Sequence, residues 1–261
     1  MESEIVYLMY HELEIPGRPL CQSGAGYVRY IVSATAFRAQ LQWLKDANWQ
    51  GFGVSEALTF PEKPGVTITF DDGCETDLLV AAPMLKEFGF GATFYVTAGW
   101  VGTRGFMTPQ QLRALGGLGF EVGCHSMTHA YLPDLDEAKL YEEIAGAKIQ
   151  LEQLLGRPVE HFSCPGGRYD QRVQDVAREA GYRTVATSQA QANGESSDRF
   201  ALGRVAVMRH TELETFSAWC RGHGLRQVRL GDSLRRAAKR ILGNSFYDRV
   251  RASVLHDNAA H

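Results

Sequence analysis

The run Val66-Thr67-Ile68-Thr69-Phe70 ends directly in Asp71-Asp72-Gly73, and this junction decides the fold. An uninterrupted run of β-branched and aromatic residues is typical of a buried strand. Two carboxylates and a glycine where such a strand stops are typical of the carboxyl edge of a parallel sheet, where α/β proteins carry their chemistry. The junction therefore predicts an α/β protein with functional residues at the end of this strand.

Six other runs of the same kind alternate with helical patterns along the chain. They are Ile5–Tyr10, Gly91–Val96, Phe120–Cys124, His161–Cys164, Thr184–Ser188 and Arg204–Met208. Helix starts such as Thr108-Pro109 and Asp136 lie between them, and Gly156 falls where a helix is expected to stop. Seven such units in 261 residues predict a barrel or near-barrel. An open doubly wound sheet is the weaker alternative, because no Gly-x-Gly-x-x-Gly sequence follows the first strand.

The composition excludes several other classes of protein. Hydrophobic residues make up 44% of the chain and charged residues 22%, which excludes whole-chain disorder. The longest apolar run, Leu78–Leu85, is far shorter than the roughly 20 residues that span a bilayer. Because the acidic start Met1–Glu4 lacks the basic region of a secretory signal, we expect a cytoplasmic location. The five cysteines include no Cys-x-x-Cys pair, so we expect reduced thiols.

The charge is unevenly distributed. Nine basic and two acidic residues give the segment 221–251 a charge of +7, whereas the whole chain carries −3. The acidic body is therefore not expected to bind nucleic acid. We expect a barrel domain over 1–220 and a basic amphipathic helical extension over 221–261. Its apolar stripe either packs on the barrel or brings the protein to anionic lipid, at the periphery of the inner membrane.

Polar residues follow two further strand candidates. His125-Ser126-Met127-Thr128-His129 comes directly after Phe120–Cys124, and Pro165-Gly166-Gly167 comes directly after His161–Cys164. In a parallel barrel the carboxyl ends of the strands face one mouth, so these residues are expected to meet Asp71-Asp72 there.

Two carboxylates and two imidazoles at one mouth suit a divalent metal, which needs oxygen and nitrogen donors and an open position for water. His125 and His129 reach one ion if their segment turns helically, because residues four apart share a helix face. Asp71 and Asp72 diverge if the strand is extended, so we expect one to bind the metal and the other to transfer protons.

These motifs resemble the first two motifs of the polysaccharide deacetylases, the NodB-type carbohydrate esterases of family 4. The resemblance continues through Phe162-Ser163-Cys164-Pro165-Gly166-Gly167 and reaches about Val207. It implies a distorted (β/α)7 barrel that removes N-acetyl groups from amino sugars of a carbohydrate with one divalent metal. Zinc is the expected metal, with cobalt or nickel as alternatives.

By matching positions, the resemblance implies that Asp72, His125 and His129 are the metal ligands and that Asp71 is the catalytic base. Water deprotonated by Asp71 would attack the acetamide carbonyl. The oxyanion would be held by the metal and by backbone N–H groups of the turn Pro165-Gly166-Gly167.

Two further roles stay open between pairs of residues. The general acid is either His11, at the end of the first strand, or His210, after the seventh strand. The family usually has an arginine that orients the base at the position of Ser163. Arg204 resembles the arginine found in the subgroup acting on bacterial exopolysaccharides and is our first choice to replace it, with Arg168 second.

Two other functions compete with this interpretation. An allantoinase-like relative would hydrolyse another small amide, and a catalytically dead relative would only bind carbohydrate; the intact metal motifs favour deacetylation over both. A thiolate metal site that includes Cys74, Cys124 or Cys164 is disfavoured, because strand alternation turns Cys124 away from the mouth if His125 faces it. We therefore expect buried thiols.

Overall fold

The computed structural model describes residues 4–231. Within this range the chain forms a curled sheet of mainly parallel strands with helices packed on its outer face. The strands are β1 Ile5–Tyr10, β2 Leu13–Glu14, β3 Val32–Ser33, β4 Gln50–Phe52, β5 Gly65–Phe70, β6 Thr93–Val96, β7 Glu121–Cys124, β8 His161–Ser163, β9 Thr184–Ala186, β10 Ala192–Asn193 and β11 Val205–Ala206.

The α-helices lie mostly between consecutive strands, as crossover connections of a parallel sheet require. They are α1 Ala25–Val28, α2 Ala34–Asp46, α3 Val54–Ala57, α4 Ala82–Phe88, α5 Pro109–Gly117, α6 Glu137–Tyr141, α7 Ala147–Leu155, α8 Gln171–Glu179 and α9 Leu213–Cys220. Two single π-helical turns, Asp77–Ala81 and Glu142–Gly146, run directly into α4 and α7.

The sheet closes almost into a barrel. Parallel pairing runs in the order β1-β5-β6-β7-β8-β9, and β11 lies parallel to β1 on its other side. A single bridge between Ala186 and Leu202 joins β9 to the segment that leads into β11, so the circle is completed by one residue pair. This architecture is the distorted (β/α)7 barrel that the sequence predicts, and the doubly wound alternative is wrong.

All seven predicted strands are present, several of them shorter than the predicted runs. The strand β4 was not predicted, because its sequence Gln50-Gly51-Phe52 has no alternation and contains a glycine. The glycine is needed for packing, since a Cβ atom on Gly51 would lie 2.7 Å from Ile68 and 2.9 Å from Phe90.

A stack of aromatic rings on the outer face of the sheet sets which residues face the mouth. Tyr10, Phe70 and Phe94 are aligned on neighbouring strands, and their ring centroids are 5.2 Å and 5.0 Å apart. Because side chains alternate along a strand, His11 and Asp71, the residues that follow this stack, turn to the inner side. The stack thus anchors two of the predicted site residues.

The predicted C-terminal extension lies mostly outside the described residues. Residues 225–231 are helical, Leu225 is buried and Leu230 is exposed. The amphipathic pattern continues through 232–251, which the structure does not describe, so the extension stays a prediction. No helix within residues 4–231 combines the length and apolarity needed to cross a bilayer.

Candidate active site

Three side chains converge at the mouth of the barrel in an arrangement suited to a metal ion. One ligand atom each from Asp72, His125 and His129 lies within 4.8 Å of the others. Oδ1 of Asp72 is 3.6 Å from Nε2 of His125 and 3.6 Å from Nε2 of His129. The structure therefore brings together the three residues predicted to hold the metal.

The chemistry of the cluster fits a divalent cation. Oδ1 of Asp72 is buried and has no hydrogen-bond partner, although it faces both imidazoles. Burial and the neighbouring carboxylates Asp71 and Glu12 raise the pKa of Asp72 to about 8. Burial also lowers the pKa of His125 to about 3, which keeps its imidazole in the neutral form that binds metals. A cation among these three groups would satisfy the unpartnered oxygen and offset the cost of the buried charge.

A second contact orients each histidine. Nδ1 of His125 lies 2.9 Å from the carbonyl oxygen of Ser163; as the proton donor to that oxygen, it leaves Nε2 free to accept a metal. The ring of His129 stacks on Trp100, with centroids 5.2 Å apart and planes 21° apart.

The loop 125–129 is not helical, so the two histidines converge by a different geometry from the helical turn considered in the sequence analysis. Ser126 and His129 have φ values of +67° and +65°, which fold the loop back on itself. Asp72 also lies in the left-handed region, at +83°. Strained conformations of non-glycine residues persist only where surrounding contacts hold them, and they concentrate at functional sites.

Glu143 holds this loop from the π-helical turn Glu142–Gly146. Its carboxylate accepts hydrogen bonds from the backbone N–H of Met127 at 3.0 Å and of Thr128 at 2.9 Å, and from the hydroxyl of Thr128. Glu143 is 7% exposed. No sequence signal marked it, since it falls among other charged residues of a helical segment.

Asp71 is paired with Arg204 inside the barrel. Nη1 and Nη2 of Arg204 donate to the two carboxylate oxygens of Asp71 at 2.7 Å and 2.8 Å. Arg204 also donates to Ser163 Oγ at 2.7 Å, the residue at the position where an arginine was expected. Burial alone would raise the pKa of Asp71, but the charge and hydrogen bonds of Arg204, together with His125 and His11, outweigh burial and hold this pKa well below its usual range.

Arg168, the second choice for this position, lies elsewhere. Its guanidinium is 4.0 Å from the ring centroid of Tyr131 and 3.7 Å from the carboxylate of Asp134. Arg204, and not Arg168, thus contacts both Asp71 and Ser163. That Arg204 orients the base for catalysis remains a prediction.

The two candidate general acids have different surroundings. His11 lies at the mouth, with its ring 4.9 Å from Tyr30 and its Nδ1 buried without a hydrogen-bond partner. Burial lowers the pKa of His11 to about 4, although the charge of Asp71 opposes this shift. His210 is exposed in a turn after β11.

The turn Pro165–Gly167 offers fewer oxyanion donors than the sequence suggests. Pro165 has no N–H, and the N–H of Gly167 already donates to the carbonyl of Cys164 at 2.8 Å. Of the three residues, Gly166, which is exposed, is therefore the one whose N–H can donate to an oxyanion. A side chain is excluded at Gly167, where a Cβ atom would collide with Ser188 Oγ.

Comparisons with known proteins agree with this geometry. Residues 60–185 match the family model of polysaccharide deacetylase. The putative polysaccharide deacetylase YxkH of Bacillus subtilis is 27% identical over 223 residues, which cover 83% of this chain and 76% of YxkH. Poly-beta-1,6-N-acetyl-D-glucosamine N-deacetylase of Staphylococcus aureus is 23% identical over 197 residues, 68% of each chain.

A solved structure shows the same fold. The Streptococcus pyogenes deacetylase PplD, in complex with acetate, superposes with a TM-score of 0.75 over 84% of this chain and 99% of PplD. The two chains are 23% identical, so this likeness supports the architecture alone.

Proposed function

We propose that this chain, whose residues 60–185 match the family model of polysaccharide deacetylase, is a metal-dependent hydrolase that removes N-acetyl groups from amino sugars of a poly- or oligosaccharide. The observation that carries this proposal is the unpartnered Oδ1 of Asp72 between two histidine Nε2 atoms, beside an Asp71 fixed by Arg204. The resemblance of Arg204 to the exopolysaccharide subgroup favours a β-linked N-acetylglucosamine polymer, the substrate class in the name of the Staphylococcus aureus relative.

Asp72, His125 and His129 are the residues that would hold the metal. When bound, a divalent ion supplies polarisation of the acetamide carbonyl and acidification of water. Zinc is our first choice, because two imidazoles and one carboxylate are a common catalytic zinc set.

Asp71 acts as the base in this proposal. Its carboxylate lies 3.8 Å from Nε2 of His125, so it borders the same space as the ligands. Arg204 fixes both of its oxygens and keeps the group ionised, so that it is ready to accept a proton from the attacking water. The N–H of Gly166 is the donor of the turn that is free to stabilise the developing oxyanion.

We assign His11 as the general acid that protonates the departing amine. Its pKa of about 4 means that it is neutral at rest, so it donates only after receiving the proton that Asp71 has taken from water. Burial lowers the pKa of His11 and the negative charge of Asp71 opposes this shift, so the two groups interact, whereas His210 is exposed to solvent.

Acetate release from N-acetylglucosamine oligomers by the zinc-loaded protein tests this function. Asp71→Asn is expected to keep the metal and lose at least about 100-fold in turnover, because an amide cannot accept the proton of water. Asp72→Ala and His125→Ala are each expected to bind one equivalent of Zn²⁺ fewer than the wild type, as measured by elemental analysis. If the protein releases no acetate when loaded with zinc, cobalt or nickel, the proposal of enzymatic deacetylation is contradicted. Near-normal turnover of Asp71→Asn would place the base elsewhere.

We also propose that the basic segment 221–251 draws the protein to anionic membrane lipids on the cytoplasmic side. Its charge of +7 supports this, since a basic residue near an anionic surface contributes about 1 kcal/mol. Co-sedimentation with anionic vesicles is expected to decrease with salt and to disappear on truncation at Arg221. Equal binding to neutral vesicles, or binding to neither, contradicts it.

A further inference from the structure

A second group of potential metal ligands lies near the Asp72–His125–His129 cluster. One ligand atom each from Glu12, Cys21 and Cys74 lies within 4.8 Å of the others. Glu12 and Cys21 belong to the segment that follows β1, and Cys74 belongs to the loop that follows β5. This group therefore joins two separate segments at the rim of the barrel.

The carboxylate of Asp77 lies outside the 4.8 Å cluster but interacts electrostatically with Cys21 and Glu12, and it is unsatisfied. Both of its oxygens are buried without a hydrogen-bond partner, and the residue is 0% exposed. Asp77 begins the π-helical turn before α4, where its N–H donates to the carbonyl of Cys74 at 3.0 Å. Burial raises the pKa of Asp77, and the neighbouring Asp72, followed by Cys21 and Glu12, reinforces this effect.

The other polar contacts do not balance this charge. Glu12 is 1% exposed and accepts two hydrogen bonds from the N–H of Cys21, at 3.1 Å and 3.0 Å. The Sγ of Cys21 donates to the carbonyl of Gly105 at 2.8 Å, and the Sγ of Cys74 is 3.3 Å from the hydroxyl of Tyr27. Arg18 acts on Glu12, but its guanidinium pairs with Glu75. Two buried carboxyl groups without a cation are costly, and a metal ion would remove that cost.

We propose that Glu12, Cys21, Cys74 and Asp77 form a second, structural metal site for Zn²⁺ or a similar borderline-soft divalent cation. Thiolates select such ions over Mg²⁺ or Ca²⁺. Tetrahedral zinc holds two thiolate sulfurs about 3.8 Å apart, so the ligand atoms of Glu12, Cys21 and Cys74 need to contract by only about 1 Å to bind, and the Asp77 carboxylate would move in to complete the set. Four anionic ligands give the same net charge as the four-cysteine sites of structural zinc proteins.

The site would connect the segment 12–21 to the loop that carries Asp72. Cys74 follows Asp72 by two residues, and Asp72 has a strained positive φ that must be held by its surroundings. With four protein ligands the site has no open position for water, so it is separate in role from the Asp72–His125–His129 cluster. The sequence alone did not indicate it, because Cys21 and Cys74 are far apart in the chain and lack the short spacing of zinc motifs.

Cobalt substitution of the full chain tests the proposal, because only the second site contains thiolates. The reduced, metal-free protein is expected to bind two equivalents of Co²⁺ and to develop a sulfur-to-cobalt charge-transfer band in the near ultraviolet. His125→Ala is expected to lose one equivalent and keep the band. The double variant Cys21→Ser/Cys74→Ser is expected to lose the other equivalent and the band. Cys220→Ser, a buried cysteine of α9 outside both clusters, is the matched control and is expected to keep both.

Alkylation of the unmodified chain gives a second measurement that does not depend on folding of the variants. Zn²⁺ is expected to protect Cys21 from iodoacetamide at least 10-fold, as measured by mass spectrometry. A single equivalent of Co²⁺ without a thiolate band, equal alkylation with and without Zn²⁺, or a Cys21–Cys74 disulfide in place of free thiols would overturn the proposal. Failure of acetate release with an intact thiolate band would instead contradict only the proposed deacetylase function.

Discussion

Arg204 and Asp71 form an ion pair that is removed from water, and in the proposed mechanism this pair orients the base. A buried pair repays the cost of desolvation only with good geometry and further hydrogen bonds. Arg204 meets both conditions: it donates to both oxygens of Asp71, to Ser163 Oγ, and through Nε to the carbonyl of Thr187 at 3.0 Å. The planar guanidinium therefore fixes the plane of the Asp71 carboxylate, which a lysine cannot do.

Replacement of this arginine is expected to lower turnover more than substrate affinity. Arg204→Lys keeps a positive charge but loses the two-point contact, so we expect kcat to fall about 100-fold with KM little changed. Arg168→Ala, the matched control at the rim of the barrel, is expected to change kcat less than about 3-fold. Steady-state acetate release measures both. A larger loss of kcat in Arg168→Ala than in Arg204→Lys would reverse the assignment.

The choice between the two histidines is tested in the same way. His11→Ala is expected to lower kcat about 100-fold, because protonation of the amine by a positioned side chain contributes about that much. His210→Ala is expected to stay within about 3-fold of the wild type, since His210 is exposed. Use of an activated substrate with a better leaving group should rescue His11→Ala. The opposite ranking of the two variants would assign the general acid to His210.

At the scale of secondary structure, an irregular turn supports the site. The π-helical turn Glu142–Gly146 inserts an extra residue between α6 and α7, and π-helical turns of this kind are frequent at functional sites. It places Glu143 inside, where it receives the two N–H groups of the 125–129 loop, while Glu142 is exposed. The position of His129 thus depends on a carboxylate from another element.

Removal of this support is expected to weaken metal binding. Glu143→Ala leaves the N–H groups of Met127 and Thr128 without their acceptor, so we expect a 10- to 100-fold loss of Zn²⁺ affinity at the Asp72–His125–His129 site. Glu142→Ala, one residue earlier on the exposed side, is the control and is expected to bind like the wild type. Competition with a chelating dye measures both affinities. Unchanged affinity in Glu143→Ala would show that the loop holds its shape without this contact.

Regular elements were predictable from the sequence, and the irregular ones were not. The strands β1, β5 and β7 follow from local apolar runs, and the residues that end them follow from strand polarity. The positive φ of Ser126 and His129 and the reach of Glu143 depend on contacts between distant segments. The same reason explains why Arg204 was found only through a family resemblance, and why the Cys21–Cys74 proximity was missed.

At the scale of the whole molecule, the barrel has a polar network at the end opposite the mouth. Glu121, at the start of β7, accepts hydrogen bonds from the N–H of Val54 at 2.9 Å and from the hydroxyl of Thr93, and lies 3.2 Å from Nε2 of His161. This network ties the N-terminus of α3 to three strands. Although burial by itself would raise the pKa of Glu121, the hydrogen bond and charge of His161, together with hydrogen bonds from Ser55 and Thr93, lower this pKa to about 2.

This lowered pKa predicts how the stability of the barrel depends on pH. A carboxyl whose pKa is lower in the folded state stabilises the protein above its unfolded value, near 4.5, and this contribution is lost as the pH falls towards 2. At about 1.4 kcal/mol per pKa unit the contribution is about 3 kcal/mol at pH 7. Glu121→Gln is therefore expected to lower the free energy of unfolding by about 1–3 kcal/mol at pH 7, and the difference from the wild type should shrink between pH 4.5 and pH 2. Glu160→Gln, which removes only the exposed pair with Arg183, is expected to change it by less than about 0.5 kcal/mol. Urea denaturation across this pH range measures the difference in free energy of unfolding between the wild type and Glu121→Gln. Because the two proteins share all other titratable groups, a difference that stays constant down to pH 3 would mean that ionisation of Glu121 does not stabilise the fold.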